Sequence, residues 1–260
     1  PVYAFLFFKI KITSIMMFII AYKFLKQTNK KTILYGVILG VFLFSAFATQ
    51  TFGLLYTKSS IVAFITGLNV ICVPFLGYLL FKEHISKKVF MATIVAVIGL
   101  YLLTMSGSLT IEIGEFLTLI CAILFALQII FTGKFSKEVN VFLLVLFQLI
   151  TVTILSLVFS LTLDNVTFDL NYDYTFFKAI IITAVFATVY AFLIQTYMQQ
   201  FTTASKTAII FAMEPVSASI YAFLAAGEVL SLVQITGAVL IILATLIAEI
   251  KFKKRIKHTL

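Results

Sequence analysis

Lys82-Glu83-His84-Ile85-Ser86 and Gly227-Glu228-Val229-Leu230-Ser231 are two versions of one turn, 145 residues apart (227 against 82). The same shift lays Gln50 on Gln195, Thr57 on Thr202, Ser60 on Ser205, Ala63 on Ala208 and polar Asn69 on Glu214. In both copies a Thr/Ser turn opens an apolar segment, which closes at the Glu-containing turn and is followed by another apolar segment. A constant offset across these elements marks an internal repeat, and a repeat constrains the architecture before any single residue does.

Around these turns the chain is unusually apolar. Its 260 residues are 62% hydrophobic and 11% charged, with a mean hydropathy of +1.16, whereas a soluble domain carries about a quarter charged residues. That excludes a water-soluble globule. The long unbroken runs also exclude an outer-membrane barrel, whose strands alternate in polarity. At about 20 apolar residues per crossing, nine spans are read: Val2 to Tyr22, Ile33 to Tyr56, Ser60 to Phe81, Val89 to Ser106, Ile113 to Phe131, Val141 to Leu163, Phe176 to Gln199, Ala204 to Ala226 and Ser231 to Ile250. The expected fold is an all-α polytopic membrane protein, an inverted-repeat bundle of about nine transmembrane helices. Residues 1–110 form the first repeat, 111–250 the second and 251–260 a basic tail. Cys72 and Cys121 lie inside apolar runs and imply no disulfide or metal site.

The net charge of +9 sits at the ends of the runs rather than on one face, so it reads as a topology signal and not as a nucleic-acid surface. Counting alternate loops, one side holds Lys23, Lys26, Lys30, Lys31, Lys82, Lys87, Lys88, Lys134, Lys137 and Lys206, with Lys251, Lys253, Lys254, Arg255 and Lys257 of the tail. The other side holds Lys58 and Lys178. The richer side is expected to be cytoplasmic, which puts the C-terminal tail inside and Pro1 outside. The repeat unit holds an odd number of spans, so its second copy must be threaded upside down. The charges agree, because the turn from Lys82 to Lys88 carries three lysines and its partner from Gly227 to Ser231 carries none. Inverted halves are a mark of secondary transporters. The second half has five spans and the first has four. Subtracting 145 from Ile113 places the missing partner upstream of residue 1, and a preceding helix is expected there.

The stretch Tyr190 to Ala248 resembles the C-terminal repeat of EamA-type permeases of the drug/metabolite transporter superfamily. The resemblance rests on Thr202-Thr203-Ala204-Ser205, Met213-Glu214-Pro215-Val216, Gly227-Glu228-Val229-Leu230-Ser231, Gln234 and Gly237-Ala238. Tyr56 to Leu102 resembles the first copy, through Tyr56-Thr57 and Glu83-His84-Ile85-Ser86. It implies ten spans in two inverted five-helix halves, cytoplasmic termini and a place in the cell membrane. It also implies export or exchange of a metabolite, amino acid or drug-like compound. Where the family often has Glu-Pro in the fourth span this chain has Asn69-Val70, which argues against a role that needs two symmetric carboxylates.

A carboxylate deep in a bilayer is costly and needs a reason. Glu214 is such a group, and Ser217 and Tyr221 share its helical face, while Pro215 weakens the helix beside it. It reads either as a substrate-contacting or proton-carrying group or as a structural hydrogen bond at the kink. Asn69, its repeat partner, stands on one face with Thr66 and Cys72, as a cavity wall or an interhelical contact would. Gln50 and Gln195 fall at opposite depths after inversion, which suits paired gate residues as well as packing. Tyr190 shares a face with Tyr197 and lines the same cavity or anchors at the interface. Lys9 and Lys11 either snorkel to the outer surface or, for Lys9, turn inward toward an anionic group or Glu214.

Bland readings cover the remaining charges. Glu83 and Glu228 are expected to cap the helices that follow them. Asp164, Asp169 and Asp173 are read as solvated, the Asn165-Val166-Thr167 triplet is discounted as a glycosylation site, and the tail is placed at the anionic inner leaflet.

No nucleophile with its base, metal cluster or phosphate loop is present, so the chain is not expected to be an enzyme or to carry a cofactor. The expected partners are a small-molecule solute, the lipid bilayer and a coupling proton, with a homodimer left open. The competing reading is a membrane receptor or scaffold that does not transport.

Overall fold

The computed structural model describes residues 2–104, 112–163, 181–226 and 230–249. It is built of helices, and no strand occurs among the described residues. In chain order these are α1 (Val2–Ala21), α2 (Lys30–Tyr56), α3 (Ser59–Phe81), α4 (Lys87–Thr104), α5 (Ile113–Phe135), α6 (Val141–Leu163), α7 (Ile181–Met198), α8 (Ala204–Phe211 and Met213–Ala226) and α9 (Leu232–Glu249). Helices α2 to α7 are each long and apolar enough to cross a bilayer. The acidic loop with Asp164, Asp169 and Asp173, the triplet at 165–167, Lys178, Glu228 and the 251–260 tail lie outside the described residues.

Hydrophobic length makes the helices, and short polar residues start them. Asn29 caps α2, its side chain accepting from the Thr32 amide at 2.8 Å, and Glu112 with Glu115 forms a capping box at α5. The capping expected of Glu83 falls instead to the serine three residues on. Ser86 Oγ accepts from the Val89 amide at 3.3 Å, and at α9 Ser231 Oγ accepts from the Gln234 amide at 3.3 Å. A hydroxyl on a short stem reaches the first-turn amides more easily than a carboxylate three residues upstream. Lys82 ends α3 in the left-handed region, at φ 54°. Its amide and that of Glu83 close back onto Tyr78 and Gly77 carbonyls, the arrangement that normally takes glycine.

Both α3 and α8 are broken near their middles. The Leu68 amide is shared between the Phe64 and Ile65 carbonyls, and the Ala212 amide between those of Ala208 and Ile209. Such sharing tightens one turn. Pro215 explains the second break, since its ring excludes the carbonyl four residues back, at Phe211.

Two large apolar cores hold the bundle, with a smaller cluster of Leu39, Phe135 and Leu144 between α2, α5 and α6. One joins α3, α4, α8 and α9; the other joins α1, α2, α6 and α7. Helix α5 serves both, giving Ala126, Ile129 and Ile130 to the first and Phe125 to the second. Without water to squeeze out, helices in lipid associate by close packing on small residues. Gly36 and Gly40 on α2 admit Phe147, Gln148 and Thr151 of α6. Across α4 and α9, which run antiparallel, Gly99 faces Gly237 backbone to backbone.

At the lysine-rich end, Lys31 Nζ lies 2.7 Å from Glu138 Oε2, Tyr35 OH donates to the same oxygen at 2.8 Å, and the Tyr35 and Phe135 rings stack at 3.7 Å. The hydrogen bond from Lys31, then that from Tyr35, holds the Glu138 carboxyl below its ordinary value of 4.5.

Two predictions follow from these contacts. A Cβ on Gly237 would stand 2.5 Å from the Leu103 amide nitrogen, whereas one on Gly133 would meet only Ala204 Cβ at 3.9 Å. Gly237→Val should therefore lower stability by about 1–3 kcal/mol in thermal unfolding of micellar protein, while Gly133→Ala leaves the midpoint unchanged or raises it. A depressed carboxyl stabilises the fold above its unfolded pKa, and the benefit goes as pH falls through the folded value. The difference in midpoint between wild type and Glu138→Gln should thus be constant near neutrality and vanish on acidification below about pH 4.5, a change read by unfolding scans across pH.

Candidate functional site

Polar side chains gather in layers where α1, α2, α5 and α7 meet. Lys9 on α1 is half-buried and points inward, its Nζ 5.2 Å from the Phe47 ring centroid on α2. Phe47 makes edge contacts with Phe125 of α5 at 5.8 Å and Phe192 of α7 at 6.3 Å. An ammonium on an aromatic face is attracted by the ring quadrupole. Lys9 makes no ion pair among the described residues, so the pairing with Glu214 raised by the sequence is not formed.

Amides flank this aromatic layer. One turn on from Phe47, Gln50 Nε2 donates to Thr66 Oγ1 on α3 at 3.4 Å. One turn on from Phe192, Gln195 is 8% exposed and its Nε2 donates to Gln128 Oε1 at 3.2 Å. Gln128 passes the chain on to Thr132 Oγ1 at 3.1 Å, and Gln199 donates to the Ile129 carbonyl at 3.1 Å. Gln50 lies toward the Tyr56 end of α2, away from the lysine-rich loops, and Gln195 toward the Met198 end of α7, beside them.

The two helix breaks hold the other candidates. Asn69 opens the second segment of α3, half-buried, and Glu214 lies in the first turn of the second segment of α8, solvent-accessible. Ser217 follows on the same accessible side, its hydroxyl turned back to the Met213 carbonyl at 3.0 Å. Tyr221 is 73% exposed and Tyr190 61%, so neither is enclosed. Tyr190 ends a π-helical stretch, Val185–Tyr190, where Thr188 Oγ1 reaches the Thr183 carbonyl five residues back. Lys9, Gln50 and Gln195 are thus linked through Phe47 and Phe192, and Asn69 and Glu214 occupy matched breaks. Tyr190 and Tyr221 stand apart.

Several polar groups escaped the sequence reading. Gln128 and Gln199 are buried in the amide chain. Glu115, 7% exposed, accepts from Thr57 Oγ1 at 2.5 Å and ties α5 to the α2–α3 turn. A polar residue in the apolar run Ile113 to Phe131 was the available signal for both Glu115 and Gln128.

Apolar helices that cross a bilayer, two of them interrupted beside a polar residue, define a multi-pass membrane protein with the anatomy of a transporter. Comparison with known proteins narrows this. The EamA-like transporter family matches at residues 1–105 and 112–249. An uncharacterized transporter of Archaeoglobus fulgidus is 32% identical over 216 residues, spanning 83% of this chain and 68% of that protein. The uncharacterized transporter YyaM of Bacillus subtilis is 28% identical over 231 residues, 86% of this chain and 75% of its own. A solved crystal structure superposes with a TM-score of 0.81 at 11% identity, covering 96% of this chain and 87% of the other, a likeness of fold. The chain belongs to the EamA-like transporter family, and it is a membrane transporter.

The amide chain yields a test. Removing one of two bonded amides strands the other in a dry interior, at a cost of about 1–3 kcal/mol. Gln195→Leu and Gln128→Leu should each destabilise by that amount in a denaturation series, and the double variant should cost clearly less than their sum.

Proposed function

We propose that the chain is a secondary carrier that moves a small organic solute by alternating access between two inverted halves, residues 1–110 and 111–250. The observation that carries this reading is the matched interruption of α3 and α8. The breaks at Leu68 and Ala212 fall one residue out of the 145-residue register, and each is followed within two residues by a polar group, Asn69 or Glu214. Broken helices near mid-membrane are where carriers place substrate and coupling ions, because the loosened turn frees backbone groups that a regular helix would keep. The helix limits support the pairing of halves. Ser59–Phe81 shifted by 145 gives the limits of α8, and Lys87–Thr104 gives Leu232–Glu249.

In this reading the lysine-rich end is cytoplasmic, the membrane is the cell membrane and the tail at 251–260 lies inside. Lys9 over Phe47 meets a polar or anionic part of the solute. Gln50 and Gln195 act at opposite depths of the path. Asn69, Glu214 and Ser217 line its middle, and Glu214 exchanges a proton. Tyr190 and Tyr221 join the path when the halves rock. The first segment of α8 packs against the second segment of α3, whereas among the described residues Ser59–Gly67 and Met213–Ala226 form no comparable interface. That asymmetry suits a conformer closed on the lysine-rich side of the breaks and looser on the other.

The experiment begins with a substrate-depletion screen of cells carrying and lacking the gene, followed by counterflow in proteoliposomes. Preloaded vesicles should accelerate uptake of the solute and return it chemically unaltered. Saturable binding without accumulation would replace the carrier with a receptor. Glu214→Gln should bind solute but lose the dependence of uptake on pH; an unchanged pH profile removes the proton role alone.

A further inference from the structure

A cavity of about 620 Å³ lies at the lysine-rich end, between the α3–α4 turn, the end of α5 and the start of α8. None of the residues assigned above to the solute path lines it. Its inner wall is apolar, with Pro74, Val89 and Ile130, and its outer wall carries Lys134, Lys137 and Lys206. Glu83 and Glu138 line it too. Glu138 is already held by Lys31 and Tyr35, and Lys31 stands outside the lining. With that pair offset, the ammonium groups of Lys134 and Lys137 stand against the single carboxylate of Glu83.

Lys134 sets this cavity apart from a set of topology-marking lysines. A lysine that only fixes orientation needs nothing but water around it. Lys134 is instead half-buried, its Nζ 3.1 Å from the Phe81 ring centroid, and it has no ion-pair partner among the described residues. An ammonium drawn partly out of water onto a ring still has N–H donors to offer, so an arriving anion restores what hydration no longer supplies. Hydroxyls in the same wall complete the donor set. Ser86 and Thr203 use their oxygens to accept cap bonds from Val89 and Lys206 amides, which leaves each O–H to donate.

We propose that this vestibule binds the carboxylate or phosphate group of a small organic anion, and that the carried solute is of that class. The binding stands on the cavity itself; only the onward passage of the anion rests on the carrier reading above. The volume is in the range of small-molecule sites, roughly 300–1,000 Å³, and an excess of one sign in a concave wall concentrates the opposite sign.

The chain has no tryptophan and two cysteines, Cys121 buried and Cys72 half-buried, so a reporter thiol is simple to place. Ser205→Cys, in a Cys72→Ala background reconstituted in phosphatidylcholine nanodiscs, is reacted with anionic and cationic methanethiosulfonates. Thr202→Cys serves as a second reporter. The anionic reagent should react faster than the cationic one by roughly tenfold or more, Lys134→Gln should cut that ratio several-fold, and Lys134→Arg should restore it. Inorganic phosphate should slow the anionic reagent more than chloride of equal ionic strength. A ratio unaffected by Lys134→Gln overturns the proposal. So does protection that appears only when the discs contain phosphatidylglycerol, because the site would then hold a lipid headgroup. These rates need no transport. A chain that passes here and fails counterflow keeps the anion site and loses the carrier reading, and the reverse result does the opposite.

Discussion

Inside hydrocarbon a polar group has no water to turn to, so each one left without a partner in the protein is costly. Among the described residues many hydroxyls are answered by their own helix. Thr51, Thr151, Thr153 and Thr196 each bond the carbonyl four residues back, which silences them at no cost in contacts. What remains is informative because it cannot be silenced locally. A glutamine side chain reaches beyond its own helix, and Gln195 meets Gln128 across helices while Gln199 meets the Ile129 carbonyl. Lys9 has a ring for a neighbour, and Glu214 keeps to an accessible face.

The same absence of water decides how the helices hold together. Burial of apolar surface gives little advantage in lipid, so packing must be close to count. The glycines supply that closeness at α2–α6 and α4–α9. Helix α5 is the member both cores share. Its start is clamped through Glu115 to Thr57, and its end stacks through Phe135 on Tyr35. Any relative motion of the two cores is therefore felt along α5, which also carries Phe125, Gln128 and Lys134 past each layer in turn.

How far the sequence reaches can be argued residue by residue. Hydropathy located the helices to within a few residues, because a run such as Val141 to Leu163 has no other reading. The repeat paired Asn69 with Glu214, but only Pro215 hinted that a helix would yield, and nothing in the sequence marked the break at Leu68. Gln128 and Lys134 were out of reach of that comparison. Both lie on α5, and positions 145 residues before or after them fall outside residues 1–260, so no pairing draws attention to them. Lys134 was absorbed into a charge count, since its place over Phe81 depends on how the α3 end meets α5. The Gly36-Val37-Ile38-Leu39-Gly40 spacing was readable as a packing motif, but which helix it would accept was not.

On the carrier reading, the seams of the bundle divide by what they can do. Gly99 and Gly237 bring backbone against backbone, with a Cβ on either standing under 3 Å from main-chain atoms of the other helix. Such an interlock cannot slide without collision, so α4–α9 is the seam that holds. The lysine-side segment of α8 presents Ala204, Ala208 and Ala212, each buried, where it joins the core that contains Val70 and Val73 of α3. Methyl groups have no rotamers to rearrange when the segments move, so on this reading α3–α8 is the seam that separates. The breaks at Leu68 and Ala212 lie beside that separable seam. A carrier needs one joint that persists and one that opens, and this sequence has placed glycine at the first and alanine at the second.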